Sequence, residues 1–273
     1  MQEHPIFIVS DRSGVTASTI SHTLLSQFPS TKFNHTSYPF IDSIEKVKEV
    51  VAKIDKVAES TGLRPLVFAT FVEEAFFESI KAANAEIFDL FDPFIHRMEQ
   101  TLGQTSSHLP GQAHGMADKN QYNRRIEAVN YALHCDDGLH IKDYKDASII
   151  LLGVSRSGKT PTCLYIALHM GLYVANFPLT EEVFERSTLP ESILRYKNKA
   201  FGLTIDPQRL HQIRSERRPG SSYASVPQCR EDVRLAQQLY NQHRIPYCDS
   251  TAYSVEELGS TISHRMGLES LLH

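Results

Sequence analysis

The sequence predicts an α/β protein of two domains: an N-terminal open α/β sheet domain over residues 1–105 and a C-terminal α/β domain over 121–273, with a linker at 106–120 between them. Three observations carry this prediction. Short apolar runs alternate with amphipathic stretches through the first third of the chain, the pattern of strands covered by helices. Between Gly103 and Asn120 the composition changes to Gly, Ser, Gln and His with almost no periodic apolar signal, which marks a long loop or linker. Beyond it a new apolar run over 148–152 opens a fresh strand, and 273 residues suit one large or two modest cores.

Taken in order, Ile6, Phe7, Ile8 and Val9 form a buried strand that runs into Ser10-Asp11-Arg12-Ser13-Gly14 and a helix over 15–28, closed by Pro29. A strand over 32–38 and a helix over 42–60 follow. Leu66 to Ala69 is a third strand, and Phe76, Phe77 and Ile80 mark the next helix. After the linker, a helix over 122–133 leads through Asp136-Asp137-Gly138 to the strand at 148–152. A helix continues over 163–170, a strand lies at 173–176, and the stretch 195–219 is rich in Lys and Arg. The last part holds a helix over 228–242, a short strand at 245–248, and a helix started by Ser254 with Glu257 three residues on, a capping-box pattern.

Composition excludes several classes. Hydrophobic residues make up 41% and charged residues 22%, ordinary for a folded domain. A net charge of −4 without a basic tail argues against a surface adapted to nucleic acid. No run approaches the ~18 apolar residues of a membrane span, and Met1 to Ile6 do not open a signal peptide, so a cytoplasmic location is expected. Cys135, Cys163, Cys229 and Cys248 form no CxxC pair and read as reduced structural thiols. The 13 histidines show no metal-binding spacing of the HExxH kind.

One motif carries chemistry. Gly153-Val154-Ser155-Arg156-Ser157-Gly158-Lys159-Thr160 is a complete P-loop pattern, preceded by an apolar strand and followed by a helical run, so the second domain is expected to be P-loop kinase-like. Glycines let successive backbone N–H groups point at one anion, and the helix that follows adds its positive end. Lys159 offers a point charge to a phosphate oxygen and Thr160 a hydroxyl to Mg²⁺. Arg156 either adds charge at the transferring phosphoryl group or faces solvent, and Pro161 sits where a first-turn proline is tolerated.

Phosphoryl transfer also needs a carboxylate to hold the metal or to take the acceptor's proton. Asp136, Asp137, Asp206 and Asp249 compete for that role, and turn or cap positions account for any of them equally well. Arg195, Lys197, Lys199, Arg209, Arg214, Arg217 and Arg218 make a lid over about 190–220 the functional reading and a solvated helix face the plain one.

With these residues in hand, the chain resembles the bacterial phosphoenolpyruvate synthase regulatory proteins, which are similar to the pyruvate, phosphate dikinase regulatory proteins. The motifs are Val9-Ser10-Asp11 with Ser13 to Ala17, Arg64 to Phe68, His114-Gly115, Asp136-Asp137-Gly138, Gly153 to Pro161, Phe201 to Pro207, and Ser250-Thr251 with Ser254 to Glu257. The resemblance implies a bifunctional enzyme that phosphorylates a threonine of its target using ADP, and removes that phosphate with inorganic phosphate to give pyrophosphate. It further implies a homodimer and a lid that contributes an essential lysine, Lys197 or Lys199, and Asp206. Asp206 or Asp137 then takes the threonine proton, with Asp206 preferred on the lid resemblance. Glycine at position 158 favours phosphoenolpyruvate synthase over the dikinase as partner. Two other readings of the loop stand beside this one: a nucleotide-controlled binding module without catalysis, and a small-molecule kinase.

Overall fold

The computed structural model describes residues 3–107 and 119–268. The chain divides into two compact units, Met1–Gly115 and Met116–His273. Most of the linker expected over 106–120, and the His114-Gly115 motif, lie outside the described residues.

Among the described residues of the first unit, strands β1 (His4–Ser10), β2 (Phe33–Tyr38), β3 (Leu66–Thr70) and β4 (Glu86–Asp89) pair in parallel in the order β2-β1-β3-β4. The inner strands β1 and β3 are covered on both faces, which is why they read as unbroken apolar runs. The edge strand β2 leaves Asn34, His35 and Ser37 exposed. Helices α1 (Val15–Leu25), α2 (Ile44–Thr61), α3 (Glu74–Ile80) and α4 (Asp92–Leu102) follow the four strands. In α2 the Ser43 side chain accepts from the Lys46 N–H, Val47, Val50, Ile54 and Ala58 form the buried stripe, and Gly62 ends the helix at φ 67°. The helix expected over 15–28 stops at Leu25, because Gln27 and Phe28 tighten into a turn onto the carbonyls of Leu24 and Leu25. The pair β4 and α4 was not legible. The strand is four residues with an exposed pattern, and the helix buries none of its residues.

The second unit repeats the topology. Strands β5 (Ile149–Gly153), β6 (Val174–Pro178), β7 (Ala200–Thr204) and β8 (Tyr247–Asp249) are parallel in the order β6-β5-β7-β8. Helix α5 (Lys119–His134) precedes them, and α6 (Lys159–Met170), α7 (Glu181–Glu185), α8 (Glu191–Leu194), α9 (Pro207–Arg217), α10 (Val226–His243) and α11 (Val255–Arg265) are distributed along the rest. Alternate residues of β5 feed two cores: Ile150 and Leu152 pack with Val233, Leu239 and Tyr240, while Ile149 and Leu151 pack with Ile166, Ala167 and Ile262. The expected capping box forms at α11, where Ser254 Oγ accepts from Glu257 N at 3.2 Å and Glu257 Oε2 accepts from Ser254 N at 2.8 Å. All four cysteines are free and buried, and no described helix is long and apolar enough to cross a membrane.

The lid expected over about 190–220 needs correction. Residues 200–204 are β7, a fully buried strand held between β5 and β8, so the stretch cannot move as one piece. In a sheet of this order the crevice opens where the connections diverge, outside the carboxyl ends of β5 and β7, and the Gly153 loop starts there.

Gly202 in β7 shows how tightly that sheet is closed. A Cβ there would lie 2.7–2.8 Å from ring atoms of Tyr240, whose hydroxyl is within hydrogen-bonding reach of the Leu152 and Leu203 carbonyls at 3.0 and 3.1 Å. Gly202→Ala is expected to destabilise the protein by about 1–3 kcal/mol through overpacking, measured as a lower denaturant midpoint at unchanged slope.

Candidate active site

The loop after β5 is shaped by close packing over its first glycine. A Cβ on Gly153 would sit 2.5 Å from Ser157 Oγ and 3.5 Å from Lys159 Cδ, so only glycine lets the loop fold back over the strand end. Gly158 (φ 92°) and Arg156 (φ 75°) both take left-handed backbone, and the Ser157 N–H turns back onto the Val154 carbonyl at 3.3 Å. Val154 is buried. No side chain caps α6, so its first-turn N–H groups face the loop. Ser157 Oγ is buried and has no hydrogen-bond partner, a hydroxyl that an anion's oxygen would satisfy.

Lys159 starts α6 and is 5% exposed. Its ammonium donates to the Val154 carbonyl at 3.1 Å. Burial pushes its pKa down; Asp137 and, after it, Asp136 oppose that shift by favouring the charged form. Beside it Thr160 Oγ1 donates to Asp136 Oδ1 at 2.9 Å. Asn176, fully buried in β6, donates its amide to the same Asp136 oxygen and accepts from the Asp137 N–H at 3.0 Å. The Tyr144 hydroxyl donates to the Asn176 carbonyl at 2.6 Å. One buried amide side chain therefore sets both aspartates. Asp137 itself is left-handed (φ 53°), and among the described residues no donor reaches its carboxylate, which is exposed.

Three further contacts hold the loop from other elements. Ser250 Oγ lies 3.0 Å from both the Ser157 and Thr204 carbonyls. The Tyr223 hydroxyl donates to Ser155 Oγ at 2.8 Å. Arg214 of α9, 1% exposed, donates Nε and Nη2 to the Ser155 carbonyl at 3.4 and 3.3 Å, pairs through Nη1 with Asp232 at 2.8 Å, and lies 4.1 Å above the Tyr223 ring. Against this corner lies a cleft of 640 Å³ lined by Ser155, Leu179, Phe184, Arg214, Tyr223 and Asp232, among others.

Residues 153–160 and Asp137 thus come together, and Arg156 is half-buried at the loop's turn. Asp206 follows β7 at the same sheet end, but its Oδ1 accepts the Gln208 and Arg209 N–H groups, both at 2.9 Å, so the residue caps α9. Lys197 and Lys199 are not brought to the loop. They form the turn before β7, and Lys199 donates to the Lys145 carbonyl at 2.7 Å, at the amino ends of the strands. Since β7 runs parallel to β5, the five-residue strand separates them from the loop by about 13 Å or more. Asn176 was missed, although a lone amide in the run Tyr173-Val174-Ala175-Asn176 was the available signal. Tyr223 carried no signal, and Arg214 was read only as part of a charged stretch.

Thr160 and Asp136 present oxygen ligands side by side, a set that fits Mg²⁺. Asp232→Ala would strand the buried Arg214 guanidinium, and the expected loss is about 3–5 kcal/mol, read from equilibrium unfolding.

Comparison with known proteins identifies the family. The family described as kinase/pyrophosphorylase matches residues 6–263. A protein of Hahella chejuensis that carries the name phosphoenolpyruvate synthase regulatory protein is 46% identical over 263 residues, covering 96% of this chain and 97% of that one. Proteins of the same name from Alcanivorax borkumensis (46% identical, 97% and 98% covered) and Laribacter hongkongensis (45% identical, 96% of each covered) are similar over the same length. With the match spanning both units, the chain belongs to the kinase/pyrophosphorylase family.

Proposed function

We propose that the protein controls phosphoenolpyruvate synthase by transferring the β-phosphoryl group of ADP to a threonine of that enzyme and by removing it again with inorganic phosphate. The observation that carries this reading is the buried Lys159 beneath the Gly153–Thr160 loop, with the unpartnered Ser157 hydroxyl in that loop and Asp136 and Asp137 near enough to favour the charged lysine. The loop grips a phosphate through backbone groups, so the terminal phosphate of ADP and a free phosphate are alike to it.

In the forward direction the threonine oxygen attacks the β-phosphorus, the bond from that phosphorus to the bridging oxygen breaks, and AMP leaves. Asp137 takes the threonine proton. Its carboxylate is open to an incoming hydroxyl, whereas Asp136 is engaged by Thr160 and Asn176, and Asp206 holds two N–H groups of α9 through Oδ1. In the reverse direction an oxygen of the bound phosphate attacks the phosphothreonine phosphorus, giving pyrophosphate, and Asp137 returns a proton to the departing threonine oxygen. Mg²⁺, held by Thr160 and through Asp136, would neutralise charge on the transferring group. Lys159 does the same from the floor of the loop.

Purified protein incubated with phosphoenolpyruvate synthase and ADP or ATP tests the reading: phosphate appears on a threonine with ADP as the donor. An unmodified partner mass with both nucleotides, despite tight complex formation, would leave a binding module in its place. Lys159→Ala is expected to lose both directions together. Asp137→Asn is expected to lower both turnover rates about a hundredfold or more while nucleotide affinity changes little, and Asp206→Asn to retain turnover; the opposite ranking would transfer the proton-accepting role to Asp206.

A further inference from the structure

The chain reverses direction just after α5. Asp137 (φ 53°), Gly138 (φ 82°) and His140 (φ 49°) all take left-handed backbone, which is strained at the two non-glycine positions. The reversal brings three side chains to one point: His134, the last residue of α5, His140, and Asp143 in the short 3-10 helix that follows. His134 Nε2 lies 2.9 Å from Asp143 Oδ2, the two imidazoles stack with centroids 3.7 Å apart, and one ligand atom from each of the three residues lies within 4.8 Å of the others. Tyr131 fixes Asp143 from behind by donating its hydroxyl to the Asp143 carbonyl at 2.8 Å. His134, His140 and Asp143 all remain accessible to solvent.

Two imidazoles and one carboxylate form the donor set of borderline divalent cations, whereas Mg²⁺ and Ca²⁺ prefer oxygen alone. Ligand atoms around a tetrahedral zinc ion lie roughly 3.4 Å apart, between the 2.9 Å His134–Asp143 spacing and the 4.8 Å that encloses all three ligand atoms. We propose that His134, His140 and Asp143 bind one borderline divalent cation of the zinc class, with the remaining position open to water, and that this ion pins the turn carrying Asp136 and Asp137. The site uses neither Thr160 nor Asp136, so it is distinct from the oxygen ligands beside the phosphate loop. Its ligands bracket the turn from both sides, at residues 134, 140 and 143. Holding them together limits the motion of the two carboxylates between.

Titrating untagged full-length protein with Zn²⁺, or with Co²⁺ read by its visible absorption, in excess Mg²⁺ tests this. One ion per chain is expected, with binding weakened about tenfold or more in His140→Asn and in Asp143→Asn. Asparagine keeps the left-handed backbone at position 140 accessible, and an unchanged circular dichroism spectrum verifies the fold of each variant. Amide exchange over 135–142 is expected to slow when Zn²⁺ is added. The absence of saturable binding, or equal binding by wild type and both variants, would overturn the site. Saturable binding with exchange over 135–142 unchanged would overturn the pinning role.

Discussion

A cation buried under a turn of backbone costs several kcal/mol unless opposite charge and carbonyl oxygen face it, and the carboxyl end of the second sheet is organised around meeting that cost for Lys159. The Val154 carbonyl takes one ammonium hydrogen, and Asp137 and Asp136 lie near enough to favour the charged form. Those two carboxylates would repel each other and wander if left to a free loop. Asn176 limits this by donating its amide to the Asp136 carboxylate and accepting the backbone N–H of Asp137, and Tyr144 in turn fixes the Asn176 backbone. The chain of dependence therefore runs from a buried strand of the sheet, through one amide, to the charges that surround Lys159.

The two units share a strand order, yet only one of their first strand-to-helix loops is built this way. After β1, Asp11 accepts the Val72 N–H and Ser10 shares a hydrogen bond with Thr70, so the polar groups there tie one strand end to another. After β5, glycine at 153 lets Ser157 and Lys159 fold back over the strand, and Ser157 Oγ keeps a free acceptor and donor. The same topology thus carries a loop tied to the neighbouring strand end in one unit and a loop with a buried lysine and an unpartnered hydroxyl in the other. The difference lies in a few side chains and not in the sheet.

Most strands and the long helices were legible because their signals are local. The unbroken apolar runs of β1, β3 and β5 reflect burial on both faces, and the stripe Val47, Val50, Ile54, Ala58 reflects burial on one. The loop was legible for the same reason, since glycine spacing and a following helix lie within one short segment. What failed to read was non-local. Lys197 and Lys199 stand close in sequence to Asp206, but β7 between them carries Asp206 to the loop's end of the sheet and leaves both lysines at the other. Arg214 looked like one more cation in a charged stretch, while in the fold it is buried against Asp232 and grips the loop at Ser155. Charge density along the chain does not distinguish a solvated face from a buried tether; only the partner across the fold does.

Backbone recognition of phosphate has a consequence for selectivity on the proposed reading. Peptide N–H groups bind the phosphate oxygens and are blind to what the phosphate is attached to, so the loop alone would accept phosphate, pyrophosphate and any nucleotide. Discrimination must come from side chains beyond it. The cleft at Ser155 is placed for that work: its walls are Leu179, Phe184 and Tyr223, and its floor contains the Arg214–Asp232 pair that also holds the loop carbonyl. A ligand group filling this cleft would press on Tyr223 and Arg214, which reach the loop directly through Ser155. The cleft and the loop therefore share Ser155, Tyr223 and Arg214.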